Sequence, residues 1–296
     1  VFLIYAIANS TLLRSIKPII NGIQDLPGGS PIHVKEKGVL SELAESINKT
    51  SKILQEQAGQ LRKKETARAN WIAGVSHDIR TPLSTVMGYA GQLESAENLS
   101  ADQRKKAAAI IKQSKRMKDL ISGLNLASRL EYDMQPLSIK QENAITILRQ
   151  VVVDFMNMDI EDKFPIEWKT ADHLSFCCIN ADKSLLKRAV SNLIQNSITH
   201  NENGCTIFVS VEEDSHDCRI CVEDDGTGIS DEQLYRLNHT PHYMSCETDR
   251  GDQRHGLGLL IVKQILNGHH GEVFISHSGY GGFRVVLRIP KTLYIY

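Results

Sequence analysis

The sequence predicts an α+β protein. A stem that pairs into a dimeric antiparallel four-helix bundle is followed by a two-layer α/β sandwich, with a short helical linker ahead of both. Three observations carry this. Apolar residues recur at three- and four-residue steps from Leu61 to Leu93 and again beyond Ser100, the period of a helical seam. After Pro136 strand-like runs alternate with helical stretches, the pattern of helices on one face of a mainly antiparallel sheet. Upstream, Pro27-Gly28-Gly29-Ser30-Pro31 breaks an earlier helical pattern, because proline and glycine together stop a helix.

Taken in order, Val1 to Ala8 are apolar, and no charge appears before Arg14. A bilayer needs about 20 apolar residues, so residues 1–13 read as the inner end of a membrane-spanning helix that begins outside this stretch. Arg14 and Lys17 are its positive-inside flanks. The rest of the chain is then expected on the cytoplasmic side of the cell membrane. A short amphipathic helix is the alternative. Residues 14–60 form the linker: one helix from Leu12 to Gln24, an extended connector, and a second helix from about Val39 carrying Leu40, Leu43, Ile47 and Leu54.

Residues 61–133 form a helical hairpin. Ile72, Val75, Ile79, Leu83, Val86, Ala90 and Leu93 mark one stripe, and Ile110, Ser114, Met117, Ile121, Leu124 and Ser128 the other. Ser100 and Gln103 make a capping box between them. A hairpin alone cannot bury both stripes, so dimerisation is the expected solution. Residues 134–296 form the sandwich, with strands expected near 164–169, 175–179, 206–211, 219–223, 273–277 and 283–289. Its helices are expected near 143–158, 182–199 and 258–266.

Composition excludes little else. With 34 basic and 35 acidic side chains, no net field points to nucleic acid. Of the six cysteines, Cys218 and Cys221 form a CxxC inside a strand-like run, which turns the thiols to opposite faces. Reduced, partly buried thiols are the expectation.

Four blocks carry chemistry. In Val75-Ser76-His77-Asp78-Ile79-Arg80-Thr81-Pro82, His77 is offset from the apolar stripe and should face solvent. Neutral imidazole is a good nucleophile toward phosphorus. Asp78 can take the ring proton or hold its tautomer, and Thr81 lies one turn on, sharing the face. Asn192 and Asn196, four residues apart on a helix, offer amide oxygens suited to Mg²⁺. Asp224-Asp225-Gly226-Thr227-Gly228 follows a strand, where a carboxylate can accept the exocyclic amine of adenine and glycines let backbone approach the base. Gly256-Leu257-Gly258 leads straight into a helix, an arrangement that cradles phosphate. Between the last two blocks, the polar stretch from Asn238 to Arg254 has the length of a lid.

Singly, each block is a common surface feature. In this order they resemble the H, N, G1 and G2 boxes of sensor histidine kinases, from about Leu61 to Pro290, and the upstream linker resembles a HAMP linker. The resemblance implies a Bergerat-type ATPase domain behind a dimerisation stem, ATP and Mg²⁺ as cofactors, and a homodimer. It also implies a response-regulator receiver domain as partner, and phosphatase action on that partner alongside the kinase. It makes His77 the phosphoacceptor, Asp78 its acid/base neighbour and Thr81 the phosphatase-assisting hydroxyl. Asn192 and Asn196 become metal ligands, and Asp224 the adenine acceptor. Gly226, Gly228, Gly256 and Gly258 shape the nucleotide pocket. The sequence departs from the family at Thr199 and His200, which stand where a basic residue and an aromatic are frequent. Arg254 replaces a further glycine and offers a bidentate phosphate donor, and Tyr243 stands in for a phenylalanine-rich segment. Two rivals share the ATPase fold or the stem: a nucleotide-driven clamp of the gyrase, mismatch-repair or chaperone kind, and a signalling adaptor without turnover.

Overall fold

The computed structural model describes residues 16–26, 31–35, 40–96, 98–131, 136–158, 163–239 and 256–291. The membrane-helix end expected over 1–13 lies outside these residues, as do Tyr243 and Arg254. No described helix is long and apolar enough to cross a membrane. The chain divides into two compact units, Val1–Asn70 and Trp71–Tyr296.

In the first unit, α1 (residues 16–25) and the start of α2 (Ser41–Ser95) enclose Ile19, Val34, Ala44 and Ile47. Of the segment between them, residues 31–35 are described, and side chains of α2 meet their backbone. The Asn48 amide accepts from the Val34 N–H (2.8 Å) and donates to the Val34 carbonyl (2.9 Å), while Ser51 Oγ accepts from the Ile32 N–H.

The two helices expected over 39–54 and 61–93 are one. α2 runs unbroken for 55 residues, because Gln55-Glu56-Gln57-Ala58 and Gln60 are strong helix formers that carry it through Gly59. Pro82 sits inside it and leaves the Asp78 carbonyl without its helical donor.

In the second unit, α2 is followed by α3 (Ala101–Glu131). The capping box forms: the Ser100 N–H donates to Gln103 Oε1 (2.9 Å) and the Gln103 N–H to Ser100 Oγ (3.3 Å). Ser76, Leu83 and Ala90 on α2, and Ala107 and Ser114 on α3, are buried at seven-residue spacing. They form the seam inside the hairpin. A second seven-residue series stays 43–48% exposed: Ile79, Val86 and Leu93 on α2, and Ile110, Met117 and Leu124 on α3.

Beyond the stem lie β1 (Lys140–Asn143), α4 (Ala144–Met156), β2 (Ile166–Trp168), β3 (Cys178–Ala181) and α5 (Lys183–His200). After them come β4 (Ile207–Glu213), β5 (Asp217–Asp224), α6 (Asp231–His239), α7 (Gly256–Gly268), β6 (Glu272–His277) and β7 (Phe283–Pro290). The main sheet has the order β2-β4-β5-β7-β6, antiparallel except for the β2–β4 pair. β1 and β3 pair separately. Alternation along the strands sends Val209, Ile220, Val222, Val285 and Leu287 inward against α4, α5 and α7. Leu126, Ala127 and Leu130 of α3 join the same core, so the stem's second helix is built into the sandwich.

Two buried caps fix the helices that matter. Asp182 caps α5: its Oδ1 accepts from the N–H groups of Ser184 and Leu185. Burial raises the Asp182 pKa, but the Ser184 hydroxyl and the Ser138, Leu185 and Ser184 amides outweigh that and hold it below the ordinary carboxylate value. His269, just after α7, accepts from the Asp182 N–H at Nε2 (2.9 Å) and meets the Ile265 carbonyl at Nδ1 (2.7 Å). One imidazole thereby ties the end of α7 to the start of α5. The Cys218 and Cys221 thiols are free and buried, on alternate faces of β5 as their spacing requires.

Candidate functional site

The cleft lies between α5, the loop after β5, α6 and α7. Asn196, Ser197, His200 and Asn201 line it from α5 and its C-cap. Asp224, Thr227, Gly228 and Ile229 do so from β5 and its loop, with Leu237, Leu259 and Phe283 opposite. It opens to solvent, and most of its lining surface is apolar.

Asp224 ends β5 at 2% exposure. Its Oδ2 accepts from Ser197 Oγ (2.7 Å), and its Oδ1 accepts from the N–H groups of Gly226 (3.0 Å) and Phe283 (3.2 Å). Three donors make a buried carboxylate tolerable. They also fix its plane, so the lone pairs that remain point one way. Asn201 braces the loop from the other side, accepting from the Thr227 N–H (2.9 Å) and donating to the Ser197 carbonyl (2.9 Å).

Glycine is needed where backbones crowd this carboxylate. A Cβ on Gly226 would fall 2.0 Å from Asn201 Oδ1, and one on Gly282 would fall 2.2 Å from Asp224 Oδ1. At Gly228 φ is +64°, a left-handed conformation natural to glycine.

The expected residues divide into two groups. Asn196, Asp224 and Gly228 line the cleft, Gly226 bonds Asp224, and Gly258 abuts Asn196, whose Oδ1 lies 2.9 Å from where its Cβ would be. Gly256 is the first residue of α7. Asn192 is not among the lining residues, and its Nδ2 is buried without a hydrogen-bond partner. The Asn196 carboxamide oxygen, beside the N-terminus of α7, has the hard neutral chemistry of a Mg²⁺ ligand.

His77, Asp78 and Thr81 lie on the stem. The His77 side chain is 77% exposed, with Nδ1 at 3.4 Å from Asp78 Oδ1. Thr81 is exposed one turn beyond. Sequence reading missed Ser197, Asn201, Leu237 and Phe283. Ser197 was within sight, directly after Asn196, and the Gly279–Phe283 run was a visible sign of close backbone packing.

α7 has two partners. Its first turn borders the cleft at Gly258 and Leu259, and its flank sits on the stem: a Cβ on Gly123 of α3 would lie 2.7 Å from Ile261 Cδ1 and 2.9 Å from Leu257 Cδ2.

A carboxylate-floored cleft closed by glycine backbone, behind a helical hairpin that exposes one histidine, defines an ATPase-like domain joined to a phosphoacceptor stem. Comparison with known proteins agrees. Residues 67–133 match the His Kinase A (phospho-acceptor) domain, and residues 181–293 match the histidine kinase-, DNA gyrase B- and HSP90-like ATPase. Across both regions the chain is similar to sensor histidine kinases. It is 29% identical over 258 residues to sensor histidine kinase YvrG of Bacillus subtilis strain 168, covering 84% of this chain and 44% of that protein. It is 23% identical over 292 residues to the signal transduction histidine-protein kinase BaeS of Escherichia coli K12, covering 94% and 58%. The chain thus spans about half the length of these curated relatives. The fold matches full-length ShkA in complex with AMPPNP (TM-score 0.58, 24% identity, 76% of this chain and 46% of that one). It also matches ThkA in complex with the response regulator TrrA (TM-score 0.55, 20% identity, 80% and 66%).

Proposed function

We propose that this chain is the catalytic part of an ATP-dependent protein histidine kinase that phosphorylates His77 and passes the phosphoryl group to an aspartate of a response-regulator receiver domain. The observation that carries the proposal is the pairing, in one chain, of the exposed His77–Asp78 couple with the Asp224 cleft. Adenine enters the apolar part of the cleft, and its exocyclic amine donates to the lone pairs that Ser197 and the two amides leave open on Asp224. The phosphates run toward Asn196 and the N-terminus of α7, whose free N–H groups favour anions. Mg²⁺, held through Asn196, supplies charge neutralisation on the phosphates when bound.

The His77 Nε2 lone pair attacks the γ-phosphorus. An N–P bond forms, the γ-phosphorus–oxygen bond to ADP breaks, and the Nδ1 proton passes to the Asp78 carboxylate. Holding the reactants in line and screening charge contribute most of the rate.

The exposed series Ile79, Val86, Leu93 and Ile110, Met117, Leu124 supports a homodimer in which a second hairpin covers that face. The connector held by Asn48 supports a HAMP linker over 14–60. With it goes a membrane segment before residue 14, which places this part of the protein on the cytoplasmic side. Exposed Thr81, on the face of His77, supports phosphatase action on the partner. The test is labelling with γ-³²P ATP. Wild-type protein should acquire acid-labile, alkali-stable phosphate, and His77→Gln should acquire none while still binding a fluorescent ATP analogue. Label that persists in His77→Gln would refute the assignment.

A further inference from the structure

Cys177 and Cys218 are both 0% exposed, yet they come from different parts of the sandwich. Cys218 is the second residue of β5, opposite Glu213 of β4 and Ile289 of β7. Cys177 directly precedes β3, in the separate β1–β3 pair. Its N–H donates to Asn143 Oδ1 (3.1 Å) and its carbonyl accepts from the Ala144 N–H (2.9 Å).

The two sulfurs meet in a short polar relay. The Cys218 S–H donates to the Cys177 sulfur, and the Cys177 S–H donates to the Glu213 carboxylate. Glu213 in turn pairs with Lys291 Nζ at 2.8 Å. The hydrogen bond from Cys218 holds the Cys177 thiol below its ordinary pKa against the opposing effect of burial. The same bond, together with burial, pushes Cys218 up. Cys177 is therefore the better nucleophile of the two. Cys205 shows the contrast: its thiol meets only the Ser197 carbonyl (3.7 Å), and burial pushes it up to about 11, the state of an inert core thiol.

A small oxidant can reach the pair from one side. Residues 171–176, which lead into Cys177, form neither helix nor strand, and Ala171, Asp172, His173, Ser175 and Phe176 are exposed. β1 and β3 have four residues each and make a two-stranded sheet of their own. Lifting this short edge costs far less than disturbing β5, which lies in the middle of the main sheet.

We propose that Cys177 and Cys218 are a reversible thiol–disulfide couple, oxidised by a hydroperoxide. The Cys177 proton passes to Glu213, and the thiolate attacks one peroxide oxygen. The O–O bond breaks, Cys177 becomes a sulfenic acid, and the departing oxygen takes up the proton that Glu213 held. The Cys218 sulfur then attacks the Cys177 sulfur. An S–S bond forms, the S–O bond breaks, and hydroxide leaves as water with the Cys218 proton. Two electrons have passed from the thiols to the peroxide. The bond closes a ring of chain that holds β3, α5 and β4. It straps the segment before the Asp182 cap of α5 to the strand that ends at Asp224. Such a ring removes freedom from the unfolded chain, so the oxidised sandwich gains stability.

The test begins with wild-type protein treated with hydrogen peroxide in the absence of denaturant, then unfolded, alkylated and digested. Two of the six thiols should be lost, one peptide pair should join Cys177 to Cys218, and dithiothreitol should restore both thiols. The urea midpoint of the oxidised protein should rise. Cys177→Ser and Cys218→Ala should each abolish the bond and the rise, whereas Cys178→Ser and Cys221→Ser should keep them. The peptide map is made on wild type, so it decides even where Cys218→Ala fails to fold. Six thiols still titratable after peroxide, or a mapped bond between any other cysteines, would overturn the proposal. A bond that forms only in urea-unfolded protein, or sulfinic acid on Cys177 with Cys218 left free, would overturn it as well.

Discussion

The Ser197 hydroxyl donates to the Asp224 carboxylate across 2.7 Å, and both residues are buried. Ser197→Ala would leave Oδ2 with an unmet lone pair and a freer plane, at a cost of about 1–3 kcal/mol. Nucleotide affinity should fall by roughly 5- to 150-fold on that scale, read by titration with a fluorescent ATP analogue. Asp224→Asn should be worse, because an amide presents an NH₂ where adenine also donates. An affinity that survives Asp224→Asn would remove adenine from this end of the cleft.

Gly258→Ala places a methyl group 2.9 Å from the Asn196 carboxamide. That contact is too close, so Asn196 must turn away. Loss of a positioned ligand of this kind should lower labelling by about 10- to 100-fold while far-UV circular dichroism stays unchanged. Normal labelling would show that the Asn196 geometry is dispensable.

Asp78→Asn keeps the size of the side chain and removes the base beside His77 Nδ1. Autophosphorylation kcat should fall by about 10²- to 10⁴-fold, the usual contribution of a positioned proton acceptor. The ATP KM should stay near its starting value, because Asp78 is not among the residues lining the cleft. A variant that loses affinity and keeps kcat would assign Asp78 elsewhere.

Much of this was legible in the sequence, and the parts that were not have physical reasons. The outward direction of His77 followed from its offset against Ile72, Val75, Ile79 and Leu83, because helical periodicity is local information. The position of Asp224 followed from the strand before it. Phe283 and Gly282 come to Asp224 through the β5–β7 pairing, 59 residues away for Phe283, and nothing local announces such a neighbour. α6 went unread because it has no fully buried residue to give it a stripe, although its Ser230–Gln233 capping box (3.1 and 3.3 Å) was visible in principle. β1, Lys-Gln-Glu-Asn, is polar throughout and is a strand only because β3 lies beside it.

His269 makes stability depend on pH. Burial pushes its pKa below 6.5, with His270 adding to that push and the Ile265 carbonyl and Asp182 carboxylate opposing it. Above pH 6.5 the ring is neutral in folded and unfolded chains alike, and its bonds to Asp182 and Ile265 are intact. Below 6.5 the unfolded ring takes up a proton that the folded one resists, so unfolding gains ground. The loss levels off only when the folded ring protonates as well. The urea midpoint should therefore drop as pH falls below 6.5, and His269→Gln should flatten that limb. A wild-type midpoint insensitive to pH between about 7 and 5 would count against this account of the ring.

Val86→Asp puts a charge into the half-exposed apolar series of α2. If a second copy covers that series, light scattering should report a dimer for wild type and a monomer for the variant. Folding should persist, since Val86 is 45% exposed within one chain. Equal masses would remove this face from the interface.

α7 is a single rod whose first turn frames the cleft while its flank rests on the stem. Widening Gly123 would press on Leu257 and Ile261 and lift the beam whose first turn frames the nucleotide. A lesion on the stem, remote from every atom that could touch ATP, would then register as altered grip on the nucleotide. Conversely, whatever fills the cleft sets how firmly the rod rests on its seat.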